Sequence, residues 1–252
     1  MYHGFTAADE PLDLDQDPHE LLLPLRRLRE QIAELKRRDY RFLTEEEYLL
    51  ERRAPTAGRS VLITIDDGMR SVLDIGAPVL EEEGVPSVLY VSAGLSLGDA
   101  APPVDETHKP DGALLTADEL AHLPARGMAL GSHGWDHSTV VGSDDESLRA
   151  HTAGSRELLA QLIGSPPRTF AYPYGRWDDR SARAVAAAGY ELAFSLQDGR
   201  DDFSVDRVDV KPGDSLTAFR IKLAPFFRTA WRATRRVPAL SRAARTVTWR
   251  LR

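Results

Sequence analysis

No cysteine occurs anywhere in the 252 residues, which excludes disulfides and thiolate metal sites and leaves imidazoles and carboxylates as the strong metal ligands. No run of about 18 apolar residues is present, so no spanning helix is expected, and the acidic opening MYHGFTAADEPLDLDQD lacks the basic-then-apolar order of a secretory leader. The expected location is therefore cytoplasmic. No GxGxxG or GxxxxGK[ST] follows the first strand-like runs, which lowers the nucleotide-binding option. Acidic residues are missing from Ser215 to Arg252, a stretch with ten Lys or Arg, and histidine is missing after His151.

What is present suits one large α/β domain, placed at 1–223, and a basic tail at 224–252; 42% hydrophobic residues are enough for a substantial core. The net charge of −7 conceals an asymmetry, because the residues before Ser215 carry 22 basic against 39 acidic groups, or −17. No nucleic-acid partner is expected. In the tail, Phe226, Phe227, Ala230, Trp231, Val237, Leu240, Ala244, Val247 and Leu251 fall near helical spacing with arginines between them, and Pro238 must bend the segment. That pattern suits a peripheral contact at the inner membrane face; packing on the domain is the other reading.

Helix and strand signals alternate. Asp17-Pro18 with Glu20 offers a capped start to a helix carrying Leu21, Leu25, Leu28, Ile32 and Leu35 at helical spacing, and Thr44/Glu47 and Thr116/Glu119 repeat the capping-box pattern. Strands are expected at 61–65, 87–93, 128–132, 169–172, 191–196 and 205–210, with helices at 69–83, 146–163 and 179–188. This order means a parallel sheet, open or closed into a barrel. The irregular, proline-bearing stretch 94–113 is long enough to act as a wall or lid.

Three segments carry chemistry. Asp66-Asp67-Gly68 ends the first apolar strand, where a parallel sheet presents its functional loops; read alone, an Asp-Gly turn with a helix cap accounts for it equally well. His133 and His137 stand four apart in GSHGWDH after another strand, a spacing that brings two imidazoles to one side of a helical turn. With one carboxylate they would leave coordination positions open, as catalytic metals require. In Ala171-Tyr172-Pro173-Tyr174-Gly175 a sharp turn could aim the Tyr174 N–H into the mouth of the sheet as an oxyanion donor. Trp135, Tyr172 and Tyr174 are candidates to stack on a sugar face, although aromatics near turns more often just pack.

Taken together and in this order, TIDDG, SHGWDH and FAYPYG resemble the motifs of the polysaccharide deacetylase family, the NodB-homology or carbohydrate esterase family 4 domain. The likeness runs from about Met1 to Leu223, with the opening Tyr2-His3 and the stretch SLTAFRIKL resembling exopolysaccharide-associated members. It implies a distorted (β/α)7 barrel, Zn²⁺ or a similar divalent ion, and hydrolysis of an N-acetyl group on a glycan. By motif match Asp67, His133 and His137 would be metal ligands, Asp66 the base, and the backbone at Tyr174 part of the oxyanion hole. Two departures stand out. The family's chitin and peptidoglycan enzymes place a base-orienting Arg where this chain has Ala171, so that contact must come from elsewhere. They also use a general-acid histidine near the C-terminus, which is absent here; the chain resembles instead the permuted branch acting on exopolysaccharide such as poly-N-acetylglucosamine, and His3 is then the candidate acid. Two rival readings remain, a non-catalytic carbohydrate-binding scaffold on the same barrel and a metal-dependent amidohydrolase acting on a non-sugar C–N bond.

Overall fold

Apolar runs too short and too β-branched for buried helices, separated by helical stretches, assemble here into one curled sheet of six parallel strands. The structure, a computed structural model, describes residues 1–98, 100, 113–196, 199–224 and 227. In chain order the elements are β1 (Gly4–Thr6), β2 (Leu22–Pro24), α1 (Leu25–Arg37), β3 (Tyr40–Phe42), α2 (Glu45–Arg53), β4 (Arg59–Val61), β5 (Ile63–Ile65), α3 (Ala77–Glu82), β6 (Ser87–Val91) and α4 (Ala93–Leu97). They continue with α5 (Ala117–His122), β7 (Met128–Ser132), α6 (Asp145–Arg149), α7 (Ser155–Ile163), β8 (Thr169–Ala171), α8 (Asp179–Ala187), β9 (Leu192–Ser195), β10 (Val205–Asp206) and α9 (Leu216–Lys222). The main sheet runs β10-β9-β8-β7-β6-β5, and two small parallel pairs, β1-β2 and β3-β4, flank it.

The first residues of the chain lie along the β5 edge. Tyr2 N–H donates to Thr64 O and Asp66 N–H to Tyr2 O, while on the other side Met1 bonds to Val208 O and accepts from Val210 N–H. The opening segment thus connects β5 to the stretch that follows β10. The core inside and around this sheet includes the fully buried Phe5, Leu28, Ile32, Leu35, Ile65, Leu89 and Leu115.

Several sequence expectations need correction. The helix expected from Asp17 begins at Leu25: the Asp17 carboxylate accepts from Leu21 N–H and Leu22 N–H at 2.9 and 2.8 Å, anchoring a turn, and Pro24 keeps the residue before it extended. The run 61–65 divides into β4 and β5 because its first half pairs with β3 and its second with β6. The strand expected over 205–210 is regular only at Val205–Asp206. Helical stretches 69–83 and 146–163 are interrupted by π-helical segments at Val72–Gly76 and Ala150–Gly154. Both capping boxes form as expected, at Thr44/Glu47 and Thr116/Glu119. Of the expected lid, α4 is helical and residues 99 and 101–112 lie outside the described residues, as does the tail apart from Ala224 and Phe227.

Candidate active site

Three carboxyl ends of the parallel sheet meet at one point. Asp66 and Asp67 follow β5, His133 follows β7, and Pro173–Gly175 follows β8. The ligand atoms of Asp67, His133 and His137 all lie within 4.8 Å of one another, and all three residues are buried. His133 Nε2 and His137 Nε2 stand 3.5 and 3.3 Å from Asp67 Oδ1.

The two histidines do not share a helical turn, as their spacing suggested. Residues 133–138 form a tight loop, bent by left-handed backbone at Gly134 (φ 82°) and His137 (φ 67°). The loop is fastened to the first turn of α4, whose N–H groups need acceptors: Ala93 N–H donates to Gly134 O, and Gly94 N–H and Leu95 N–H to Trp135 O. Trp135 packs against Gly94 so closely that a Cβ there would lie 2.6 Å from its indole. Asp67 (φ 76°) and Tyr174 (φ 59°) are also left-handed, so three of the five non-glycine residues with positive φ among the described residues sit at this site. Such conformations cost roughly 1–3 kcal/mol each and persist where the surroundings over-determine them.

Charge balance identifies what the site can hold. Asp66 is clamped by Arg207, with Nη1 donating to Oδ1 at 2.7 Å and Nη2 to Oδ2 at 2.6 Å, both side chains nearly inaccessible. The Arg207 Cζ also lies 5.6 and 5.7 Å from the ring centres of Tyr90 and Phe194. Burial alone would raise the Asp66 pKa; the charge and hydrogen bonds of Arg207, helped by His133 and His3, bring it below its ordinary value instead. Asp67 has no such partner. Its two buried oxygens accept no hydrogen bond of ordinary geometry. The His133 tautomer follows from its own partner. Nδ1 lies 2.7 Å from the carbonyl oxygen of Ala171, which only accepts, so in the neutral ring Nδ1 carries the proton and Nε2 turns a lone pair toward Asp67. The His133 lone pair facing a desolvated carboxylate is an arrangement that a cation between them could satisfy. A carboxylate and two imidazoles, one of them oriented by a backbone carbonyl, fit a divalent ion such as Zn²⁺.

His3 reaches the same place by way of the Tyr2 pairing with β5. It is half-buried; burial lowers its pKa, and the carboxylates of Asp67, Asp66 and Asp209 act in the opposite sense. Tyr174 sets its ring 4.8 Å from that of His137, edge on. Tyr172 corrects the sequence reading: it is fully buried among Phe170 and its neighbours, its hydroxyl donates to Phe203 O, and it has no surface to offer a sugar. Trp135 and Tyr174 keep partial exposure. The residue that sequence reasoning missed is Arg207. A lone arginine in the otherwise strand-like VDRVDV was its only signal, and it supplies the contact to Asp66 that Ala171 cannot.

With this geometry in place the comparisons are specific. A family model described as polysaccharide deacetylase matches residues 53–193, more than half of the chain. The chain belongs to the polysaccharide deacetylase family. A Bacillus subtilis family member, the polysaccharide deacetylase YxkH, is 25% identical over 226 residues, covering 87% of this chain and 73% of that one. The poly-beta-1,6-N-acetyl-D-glucosamine N-deacetylase of Staphylococcus aureus is 24% identical over 193 residues, and the match spans 71% of this chain but only 64% of that relative. Among solved structures, the Streptococcus pyogenes deacetylase PplD in complex with acetate superposes with a TM-score of 0.75 at 20% identity, over 89% of this chain and 96% of that one, which shows the shared fold. His3 and Arg207 both lie outside the segment matched by the polysaccharide deacetylase model, and the fold delivers them from the two ends of the domain.

Proposed function

We propose that the chain is a divalent-metal-dependent hydrolase that removes N-acetyl groups from the amino sugars of a poly- or oligosaccharide, an exopolysaccharide or lipid-linked glycan. One observation carries the reading: two adjacent buried carboxylates are treated oppositely, Asp66 neutralised by Arg207 and Asp67 left bare between two imidazole nitrogens. Family membership and the sugar-directed name of the staphylococcal relative support the substrate class.

Asp67, His133 and His137 would hold the ion, which when bound polarises the acetamide carbonyl and lowers the pKa of an adjacent water. Asp66, kept ionised by Arg207, takes the proton of the attacking water. The backbone N–H of Tyr174 stabilises the oxyanion that develops on the former carbonyl, and His3 gives a proton to the departing amine. Acetate and a free amino sugar are released. Trp135 and the Tyr174 ring offer the surface on which a sugar ring would lie. The bonds of Met1 and Tyr2 to both β5 and residues 208–210 support reading the curled sheet as a distorted seven-stranded barrel.

Metal analysis combined with an acetate-release assay on N-acetylglucosamine oligomers, with Zn²⁺ or Co²⁺ added, tests site and reaction together. The expected result is one bound ion per chain and metal-dependent acetate release. A folded protein that binds no divalent ion, or one that releases no acetate from any acetylated glycan, would overturn the proposal in favour of a scaffold or an amidohydrolase for non-sugar substrates.

A further inference from the structure

The loop that carries His137 is held from inside by a histidine to which neither motif spacing nor family likeness gives a role. His151 is almost wholly buried and sits in the π-helical segment Ala150–Gly154 between α6 and α7. Its Nδ1 accepts a hydrogen bond from Trp135 N–H at 3.0 Å, which places the ring proton on Nε2. Nε2 in turn stands 2.9 Å from Ser138 Oγ and 3.3 Å from Asp136 Oδ1. Ser138 Oγ donates to Asp136 Oδ1 at 2.6 Å, so its lone pair is left to accept from His151, and every donor in the set has an acceptor. One imidazole therefore grips residues on both sides of His137.

The grip has a task. His137 adopts a left-handed backbone that a histidine takes only at a cost of about 1–2 kcal/mol, and the loop around it is not itself helical. Gly134 is matched to the same arrangement, since a Cβ there would lie 2.6 Å from His151 Nδ1. The helix side is tied as well: Ser155 Oγ donates to the His151 carbonyl at 2.6 Å and lies 2.8 Å from Ser132 Oγ at the end of β7. The π-helical turn is what presents the ring at this depth, and single π turns within α-helices are frequent at functional sites.

We infer that His151 is a positioning residue that presets the His137 loop for metal binding through directed hydrogen bonds to Trp135 and Ser138. The inference rests on the metal-site reading above. Loss of a partner that orients a metal ligand typically weakens metal affinity by about 10–100-fold.

The test measures Zn²⁺ and Co²⁺ affinity by chelator competition on the full chain, with the Co²⁺ visible spectrum recorded for each variant. His151→Ala should weaken binding by about tenfold or more and alter the Co²⁺ spectrum. His151→Asn, whose Oδ1 can replace Nδ1 as acceptor for Trp135 N–H, should recover part of the loss. Ser138→Ala, which removes a partly exposed hydroxyl and leaves the buried ring in place, should weaken binding in the same direction. Wild-type affinity and spectrum in both His151→Ala and Ser138→Ala would overturn the inference, and so would His151→Asn being no better than His151→Ala, since the role would then be packing alone. Failure of the wild-type chain to bind either ion would instead sink the functional reading itself.

Discussion

Of the two adjacent carboxylates buried to within a few per cent of full inaccessibility, Asp66 receives a guanidinium from Arg207 and Asp67 receives none. This asymmetry makes the residue roles testable one at a time. Arg207→Met should strand Asp66 as an uncompensated buried charge and cost about 3–5 kcal/mol in denaturant unfolding. Adding Asp66→Asn should return a large part of that loss; a double variant as unstable as Arg207→Met alone would show that the pairing is not what holds this region. Asp66→Asn by itself should retain the metal while lowering acetate release by roughly 10²–10⁴-fold, as expected for loss of a general base. His133→Ala should lose the metal outright, and His3→Gln should slow turnover with metal content unchanged. Equal metal content in Asp66→Asn and His133→Ala would contradict the division of labour between them.

At the scale of elements, the ion-pair cluster on Glu34 ties the domain's first long helix to its last. Glu34 on α1 accepts from Arg37 of its own helix, from Arg38 just after it and, through both oxygens at 2.8 and 2.9 Å, from Arg220 on α9. Hydrogen bonds from Arg220 and Arg37 hold its pKa far below the ordinary value, against the opposing effect of burial. A folded-state pKa depressed in this way contributes stability above the unfolded value of about 4.3, and that contribution is lost as pH falls toward the folded value. Thermal melts should therefore show the wild type losing its advantage over Glu34→Gln as pH drops below about 5. Melting temperatures that differ by the same amount at pH 7 and pH 3 would remove Glu34 from the acid response. How much of this was legible in the sequence varied with the range of the interaction. The two Thr-x-x-Glu caps are local and formed as read, and β7 fell where expected because its apolar run is bounded by Gly127 and His133. The start of α1 was misread because Asp17, a capping residue by type, bonds the N–H groups of a turn instead. The metal ligands could be located from two short motifs. Arg207 and His151 could not, since each acts on a segment far away in sequence, 141 residues from Asp66 and 16 from Trp135, and only the curl of the sheet and the π-helical turn bring them into contact.

For the whole molecule the open variable is where its positive end goes. Among the described residues no helix is long and apolar enough to cross a membrane. Residues 224–252 contain eight arginines, no acidic residue, and Phe226, Phe227, Trp231 and Trp249 among them, whereas the residues before Ser215 carry −17. Basic residues near an anionic bilayer contribute about 1 kcal/mol each, and interfacial aromatics add to that, so we propose a reversible surface contact for the tail. Its own acidic domain competes for the same charges. The two destinations respond differently to vesicle composition: attraction to the domain is indifferent to lipid, while attraction to a bilayer requires anionic headgroups. The full chain should co-sediment with phosphatidylglycerol-containing vesicles at low ionic strength, bind phosphatidylcholine vesicles far less, and release as salt shortens the screening length to about 10 Å near 0.1 M. A chain ending at Leu223 should stay in the supernatant throughout. Equal sedimentation of the two chains would assign the tail to the domain, and the substrate would then have to reach the site without help from a surface.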